Sequence, residues 1–504
     1  MVRTSRRPPP LVYAPRRSRK EGLSHSVYRH VIRHNDNKGD LMFAKYSVAL
    51  AASAALSIGL STQPASADTF VHLFEWQWED VAQECENWLG PKGFKAVQVS
   101  PPQEHIQGDA WWTRYQPVSY QLESRSGSSD AFADMVQRCN AAGVDVYADA
   151  VINHVAHGKG QGIAGSSYDN EALNYPHYQR DDFHEPCGIE QSDYTQNAER
   201  VRQCQLVGLP DLNTSDPTVQ SHIADYLDTL AALGVRGIRV DAAKHMAPSD
   251  IAAILAQVDA PLYAFQEVID LGGEAISATE YQGTADITEF RYGASLGDIF
   301  NNRALANLQQ FGESPALLPS EQAIVFTDNH DNQRGHGAGG SNILTHRDDQ
   351  LYRLANVFML AWPYGYPKVM SSYAFSNSDQ GPPQAPVYQQ GEAQCGEAWV
   401  CEHRWPEIAN MVAFRQQADG SEVTHWWDNG HHQIAFSREA QGFIAINREP
   451  QALTHTFQTD MADGHYQNVT AEGQCIVVED GQLTLSVPAM SAVALHVGAP
   501  CPAS

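Results

Sequence analysis

Ala323-Ile-Val-Phe-Thr-Asp-Asn-His-Asp-Asn-Gln-Arg334 decides how the rest of the chain is read. Its first five residues form an apolar run that reads as a buried strand. The strand end then presents Asp328, Asn329, His330, Asp331, Asn332, Gln333 and Arg334 in succession. Polar groups packed that densely at a buried end are costly unless they meet a ligand, an ion or one another. A polar loop or a helix cap is the ordinary alternative. Two further strand ends that carry acids weigh against it.

Gly237-Ile-Arg-Val-Asp241 reads as a strand in which Arg239 and Asp241 share one face and Ile238 and Val240 the other. The aliphatic pair can pack on helices while Arg239 and Asp241 point into an open end. A plain buried ion pair is the bland reading. Tyr263-Ala-Phe-Gln-Glu267 ends another strand with a lone carboxylate among apolar groups, where desolvation would raise its pKa as a general acid requires. A capping or ion-paired Glu267 is the alternative there.

Outward from these ends, short apolar runs at 70–74, 96–99, 144–148, 237–240, 262–265, 286–290, 324–327 and 367–370 alternate with amphipathic stretches such as 221–233 and 250–258. Eight such alternations predict a (β/α)8 barrel, whose active site lies at the carboxyl ends of the strands. A doubly wound sheet would carry a Gly-rich phosphate turn after an early strand, and none is present. The barrel is expected over 68–154 and 213–410. Residues 155–212 interrupt it after the third strand, long enough to form an inserted domain over the active-site face. From 411 to 504 the pattern changes to short alternating runs, which predicts a C-terminal antiparallel β-sandwich.

The charge is divided along the chain. Residues 1–67 hold 11 of the 33 Lys and Arg and 3 of the 59 Asp and Glu, leaving 22 basic against 56 acidic residues beyond. A body that acidic repels phosphates and excludes nucleic acid as a partner. Residues 42–67 read as a secretory signal, with Lys45, an apolar run and Ala65-Ser66-Ala67 as its cleavage site. Residues 1–41 read as a wrongly chosen upstream start, or else as a genuine basic extension. A soluble, secreted monomer with no membrane contact after cleavage is expected. The eight cysteines (Cys85, Cys139, Cys187, Cys204, Cys395, Cys401, Cys475 and Cys501) all follow the signal, which favours disulfides. Their spacing leaves 105 pairings open, although Cys395 and Cys401 suggest a local loop.

Four stretches together are specific: Val146-Tyr-Ala-Asp-Ala-Val-Ile-Asn-His154, Gly237-Ile-Arg-Val-Asp-Ala-Ala-Lys-His245, Phe265-Gln-Glu-Val-Ile-Asp270 and Phe326-Thr-Asp-Asn-His-Asp331. They resemble the four signature regions of the alpha-amylase family of glycoside hydrolases. Val99-Ser-Pro-Pro-Gln-Glu-His105, Trp111-Trp-Thr-Arg-Tyr-Gln-Pro117 and Gly335-His-Gly-Ala-Gly-Gly340 are similar to the animal-type, chloride-dependent members and their secreted bacterial relatives.

The resemblance implies retaining endo-hydrolysis of alpha-1,4-glucan in starch, glycogen and malto-oligosaccharides, with a glucan transferase of the same fold as the alternative. It implies Asp241 as nucleophile, Glu267 as acid/base and Asp331 as transition-state stabiliser, the carboxylate equipment that glycosidic cleavage requires. Trp111, Trp112, Tyr115, Gln116, His154, Arg239, Lys244, His245, His330 and His336 match substrate-cleft positions. Calcium is implied at Asn153 and Asp211 with the main-chain carbonyls of Arg202 and His245. Chloride is implied at Arg239, Asn329 and Lys368, where animal members carry Arg in place of Lys368, so weaker chloride binding with activation retained is expected. The implied disulfides are Cys85–Cys139, Cys187–Cys204, Cys395–Cys401 and Cys475–Cys501. Asp328, Asn332, Gln333 and Arg334 are left with structural support as their default.

Overall fold

The structure, a computed structural model, describes residues 68–312, 317–471 and 473–502. The expected signal at 42–67 and the stretch before it lie outside these residues. Eight strands, β1 (Phe70–Leu73), β2 (Ala96–Val99), β3 (Asp145–Ala150), β4 (Gly237–Val240), β5 (Tyr263–Gln266), β6 (Asp286–Thr288), β7 (Ala323–Val325) and β8 (Tyr366–Ser371), close into a parallel barrel in sequence order. Each lies within two residues of its expected position.

The differences have local causes. The sixth strand stops at Thr288 because Glu289 turns to cap the helix Phe290–Asn302, its side chain accepting from the Arg291 amide at 2.9 Å. The seventh stops at Val325, and beyond it the Asn329 side chain accepts from the amides of Asp331 (3.1 Å) and Asn332 (2.8 Å). Asn332 returns a bond to the Asn329 amide at 2.8 Å. Side chains thus take over the hydrogen bonds that a continuing strand would make.

Aromatic residues fill the lower barrel axis. Phe70, Tyr147, Phe265 and Ile324 form a buried cluster there, with Phe70 5.6 Å from Phe265 and 4.8 Å from Tyr366 between ring centroids. One pleat higher the inward residues are polar: His72, Gln98, Asp149, Arg239 and Lys368, all buried. This layering, apolar floor and polar upper storey, sets where chemistry can occur.

Between β3 and β4 the chain leaves the barrel. It forms a small hairpin of Lys159–Gln161 with Ser167–Asp169 and the short helix Ala198–Gln203, then returns through the helix Pro217–Ala232. The C-terminal part is all-β. A four-stranded antiparallel sheet of Val423–Asp428, Gln433–Arg438, Gly442–Asn447 and Ser491–His496 is joined by two strand pairs. Phe443, Ala445, Val493 and Leu495 pack within this sandwich, while Ile444, Ile446 and Ala494 face the barrel's own core.

Arg438 ties the two parts. It donates to Ala361 O (2.7 Å), Ala418 O (2.8 Å) and Ser421 O (2.8 Å), at the ends of the helices Gln350–Ala361 and Pro406–Gln417. The four disulfides are Cys85–Cys139, Cys187–Cys204, Cys395–Cys401 and Cys475–Cys501, the pairing that the family resemblance implies.

Candidate active site

Asp241 and Glu267 each follow the last residue of a barrel strand and remain held by its ladder. The Asp241 amide donates to Ala150 O and the Glu267 amide to Val240 O, both at 3.0 Å. Asp331 arrives from the asparagine-capped turn beyond β7. Three carboxyls from three elements thereby meet at the carboxyl end of the barrel.

Arg239, only 1% exposed, organises them. Its Nη1 lies 2.6 Å from Asp149 Oδ1 and 2.9 Å from Asp241 Oδ1, and its Nη2 is ion-paired with Glu267 Oε1. The expected alternation of Arg239 and Asp241 on one face holds, and so does the bland ion-pair reading; the two are one arrangement. The environment of Glu267 corrects the sequence reading. Its carboxylate does not sit alone among apolar groups but faces a guanidinium, with its second oxygen accepting from the Ala242 amide at 3.1 Å. Ala242 holds a left-handed conformation (φ 49°) to present that amide.

Burial, together with the neighbouring carboxylates, pushes Asp241 well above the ordinary carboxylate range, with Arg239 opposing. Burial and then the Glu267 charge push Asp331 up to about 7. Four carboxyls around one bonded guanidinium cannot all ionise cheaply, so the cluster retains a proton near neutrality.

The acids open onto a cleft of about 720 Å³. Trp111, Trp112, Tyr115, Gln116, His154, Lys244, His245, His330 and His336 line it, nine of the ten expected cleft residues. The tenth, Arg239, stands behind the acids instead of on the wall. The Tyr115 ring stacks on His330 at 5.1 Å, and its hydroxyl donates to Asp149 Oδ2 at 2.9 Å. Trp112 is 38% exposed and offers a flat apolar face to the cleft.

Comparison with known proteins gives the same reading. Residues 88–264 match the model of the alpha amylase catalytic domain, and residues 425–498 that of the alpha amylase C-terminal all-beta domain. The alpha-amylase of Pecten maximus is 45% identical over 472 residues, covering 86% of this chain and 93% of its own.

The chain belongs to the alpha-amylase family.

Pancreatic alpha-amylase 2a5 of Mus musculus is 45% identical over 466 residues, 83% of this chain and 91% of its own. The solved alpha-amylase I of Eisenia fetida in complex with maltohexaose is 41% identical, covers 86% of this chain and 98% of its own, and superimposes with a TM-score of 0.81. As a member of the alpha-amylase family the chain is a glycoside hydrolase.

Several residues of this alpha-amylase site escaped sequence reading. Asp149 is the register partner of Arg239 across β3 and β4, and only that pairing reveals it as the second carboxylate on the guanidinium. An acid in an otherwise buried strand was the available signal. Glu274, ion-paired with Lys244, and Val207 also line the cleft. Val207 is 87% exposed and sits at φ 46°, an unusual conformation for a β-branched residue.

The remaining polar residues of the opening stretch have partners. Asp328 accepts from Tyr352 OH at 2.9 Å and Thr327 Oγ1 at 3.1 Å. Gln333 Oε1 accepts from Ser372 Oγ at 2.8 Å. The Arg334 guanidinium lies 4.8 Å from the Phe74 ring, 4.9 Å from Tyr373 and 4.3 Å from Phe375. Asp328, Gln333 and Arg334 thus have structural partners, as Asn332 has in the Asn329 amide.

Two clusters have the chemistry of ion sites. Asn153 Nδ2 approaches Asp211 Oδ1 at 3.4 Å, and His245 Nδ1 lies 2.9 Å from Val201 O, which brings the Arg202 and His245 segments side by side. Burial pushes Asp211 up to about 6, against the opposing effect of His184 at 2.7 Å. One carboxylate, main-chain oxygens and, with the Asn153 amide turned over, its side-chain oxygen make a donor set for a hard cation. Beneath the acids, Lys368 is buried with its Nζ 4.6 Å from the Phe326 ring, and burial and then Arg239 push it down to about 8. Arg239 Nη2 and Glu267 Oε1 touch as an ion pair but not in hydrogen-bond geometry. A buried lysine pushed down by a second buried cation marks a place where an anion fits.

Proposed function

We propose that the protein catalyses retaining endo-hydrolysis of alpha-1,4-glucosidic bonds in starch, glycogen and malto-oligosaccharides. The observation that carries this reading is the convergence of Asp241, Glu267 and Asp331 on one aromatic-walled cleft. Trp111, Trp112 and Tyr115 offer faces on which pyranose rings stack, while Gln116, His154, Lys244, His245, His330 and His336 supply polar contacts to sugar hydroxyls.

In this mechanism Asp241, held by Arg239, attacks the anomeric carbon as Glu267 protonates the departing glycosidic oxygen. Asp331 stabilises the positive charge that develops on the ring. Glu267 then takes a proton from the water that releases the glycosyl group from Asp241. Arg239 fixes Asp149, Asp241 and Glu267 in one array and biases which carboxyl keeps the proton.

Asn153 and Asp211, with the carbonyls of Arg202 and His245, would hold calcium; a bound cation there braces the inserted segment against the cleft. Arg239, Asn329 and Lys368 would hold chloride, whose negative charge favours a protonated Glu267. We further assign the barrel to 68–154 and 213–410, the inserted domain to 155–212 and the β domain to 411–504. Secretion as a monomer, directed by a signal at 42–67, accords with the four disulfides.

Digestion of soluble starch followed by anomeric NMR tests the reaction. Products born as α-anomers support retention, and products born as β-anomers overturn it. Cyclic or elongated glucans as the dominant products replace hydrolysis by transfer. Glu267→Gln is expected to lower turnover by about 10²–10⁴-fold or more with the fold intact.

A further inference from the structure

His72 on β1 and Gln98 on β2 are register partners, so their side chains stand together on the inward face of the barrel. Both are fully buried. Neither ring nitrogen of His72, nor either end of the Gln98 amide, has a protein hydrogen-bond partner. Four such atoms side by side carry a heavy desolvation cost unless something polar meets them.

Their position says what that is. Phe70, one pleat below His72, is the register partner of Lys368 on β8. His72 and Lys368 are therefore diagonal neighbours on one face of the parallel pair of β1 and β8. The His72 ring stands edge-on to His330 at 5.4 Å, and His330 Nδ1 also has no partner. Burial, then Lys368 and Arg239, hold the His72 ring well below its ordinary pKa, so it is neutral and carries one N–H donor.

We propose that His72 completes the anion site of Arg239, Asn329 and Lys368, giving its ring N–H to the bound chloride, with Gln98 forming the polar floor of the same pocket. The inference rests on the chloride reading above and supplies what Lys368 lacks. Lysine brings a point charge and no planar fork. A third cation would add to the repulsion between Arg239 and Lys368, whereas a neutral imidazole adds a directed donor and no charge.

The test uses the whole enzyme freed of chloride, with Tm and starch hydrolysis followed as sodium chloride replaces sodium gluconate at constant ionic strength. His72→Phe keeps a ring for the edge contacts and removes both nitrogens; His72→Gln restores an N–H. The chloride concentration giving half the Tm gain is expected to rise roughly tenfold in H72F, the worth of one hydrogen bond to a charged group, and to recover in H72Q. If H72F titrates like the wild type while the wild type responds, the inference falls and the anion site stands. A wild-type Tm and activity indifferent to chloride overturn both. The unmodified enzyme gives a second measurement, independent of whether H72F folds. With ¹⁵N-labelled histidine, the imidazole signal lost in H72Q should shift with chloride, and a signal that stays still overturns the proposal.

Discussion

Arg334 Nη1 donates to the main-chain carbonyl of His330 across 2.8 Å. A cation packed among aromatic rings is thus tied to the residue just before Asp331, and its charge reaches that acid. Burial and Glu267 raise Asp331 to about 7, while Arg239 and Arg334 lower it. Removing the Arg334 charge should make Asp331 hold its proton more tightly and move the acid limb of the kcat/KM profile to higher pH. Arg334→Met should show this shift and Arg334→Lys much less of it. Both should lose about 1–2 kcal/mol of stability with the stacked guanidinium. Profiles for the two variants on a malto-oligosaccharide decide the point, and equal shifts would assign the effect to packing alone.

Glu402 is fully buried, its Oε2 accepting from the Ser372 amide at 2.7 Å, and burial pushes it from 4.5 up to about 7. The folded state therefore binds this proton more tightly than the unfolded chain does. The associated stability is complete below about pH 4.5 and is lost as pH rises through about 7. Glu402→Gln, which copies the protonated form, should leave Tm nearly unchanged at acid pH and raise it in mild alkali, by up to about 3 kcal/mol of stability. Calorimetry of both proteins on each side of neutrality checks this. A Tm difference that does not vary with pH would contradict the raised value.

Lys368→Arg should restore a planar donor to the anion pocket and lower the chloride concentration for half activation several-fold. Lys368→Gln should abolish the response. Chloride titration of hydrolysis rates in the three proteins distinguishes these outcomes, and an arginine variant with weaker chloride binding would show that lysine is the better fit here.

Asp211→Asn should remove most of the stabilisation conferred by calcium. With calcium at 100 times its Kd the wild type gains about 2.7 kcal/mol, visible as a rise in Tm that a chelator reverses. Melting curves with and without added calcium give the comparison. An undiminished calcium response in the variant would place the ion elsewhere.

Which parts of this protein can be read from sequence follows from the range of the interactions concerned. The strands were legible because each buries its own apolar run, and the acids Asp241, Glu267 and Asp331 because they break those runs at one end. Asp149 is not legible as a site residue in sequence, since its role depends on facing Arg239 across a register that only strand pairing sets. The partners of Arg334 are hidden in sequence for a similar reason. Its rings come from Phe74, Tyr373 and Phe375, about 40 to 260 positions away in the chain. Glu267 shows the reverse error, where apolar neighbours in sequence stood in for apolar neighbours in space.

Arg438 gives the β domain a task that sequence similarity to a family does not reveal. By bonding to the Ala361, Ala418 and Ser421 carbonyls, one side chain helps to cap the helices Gln350–Ala361 and Pro406–Gln417 together. The β domain is in this sense a part of the barrel's own secondary structure, delivered from seventy-seven residues downstream of Ala361. A chain cut before residue 438 would keep all eight barrel strands but lose one shared donor at both helix ends, where Arg415 would still bond to Trp362 O at 2.9 Å.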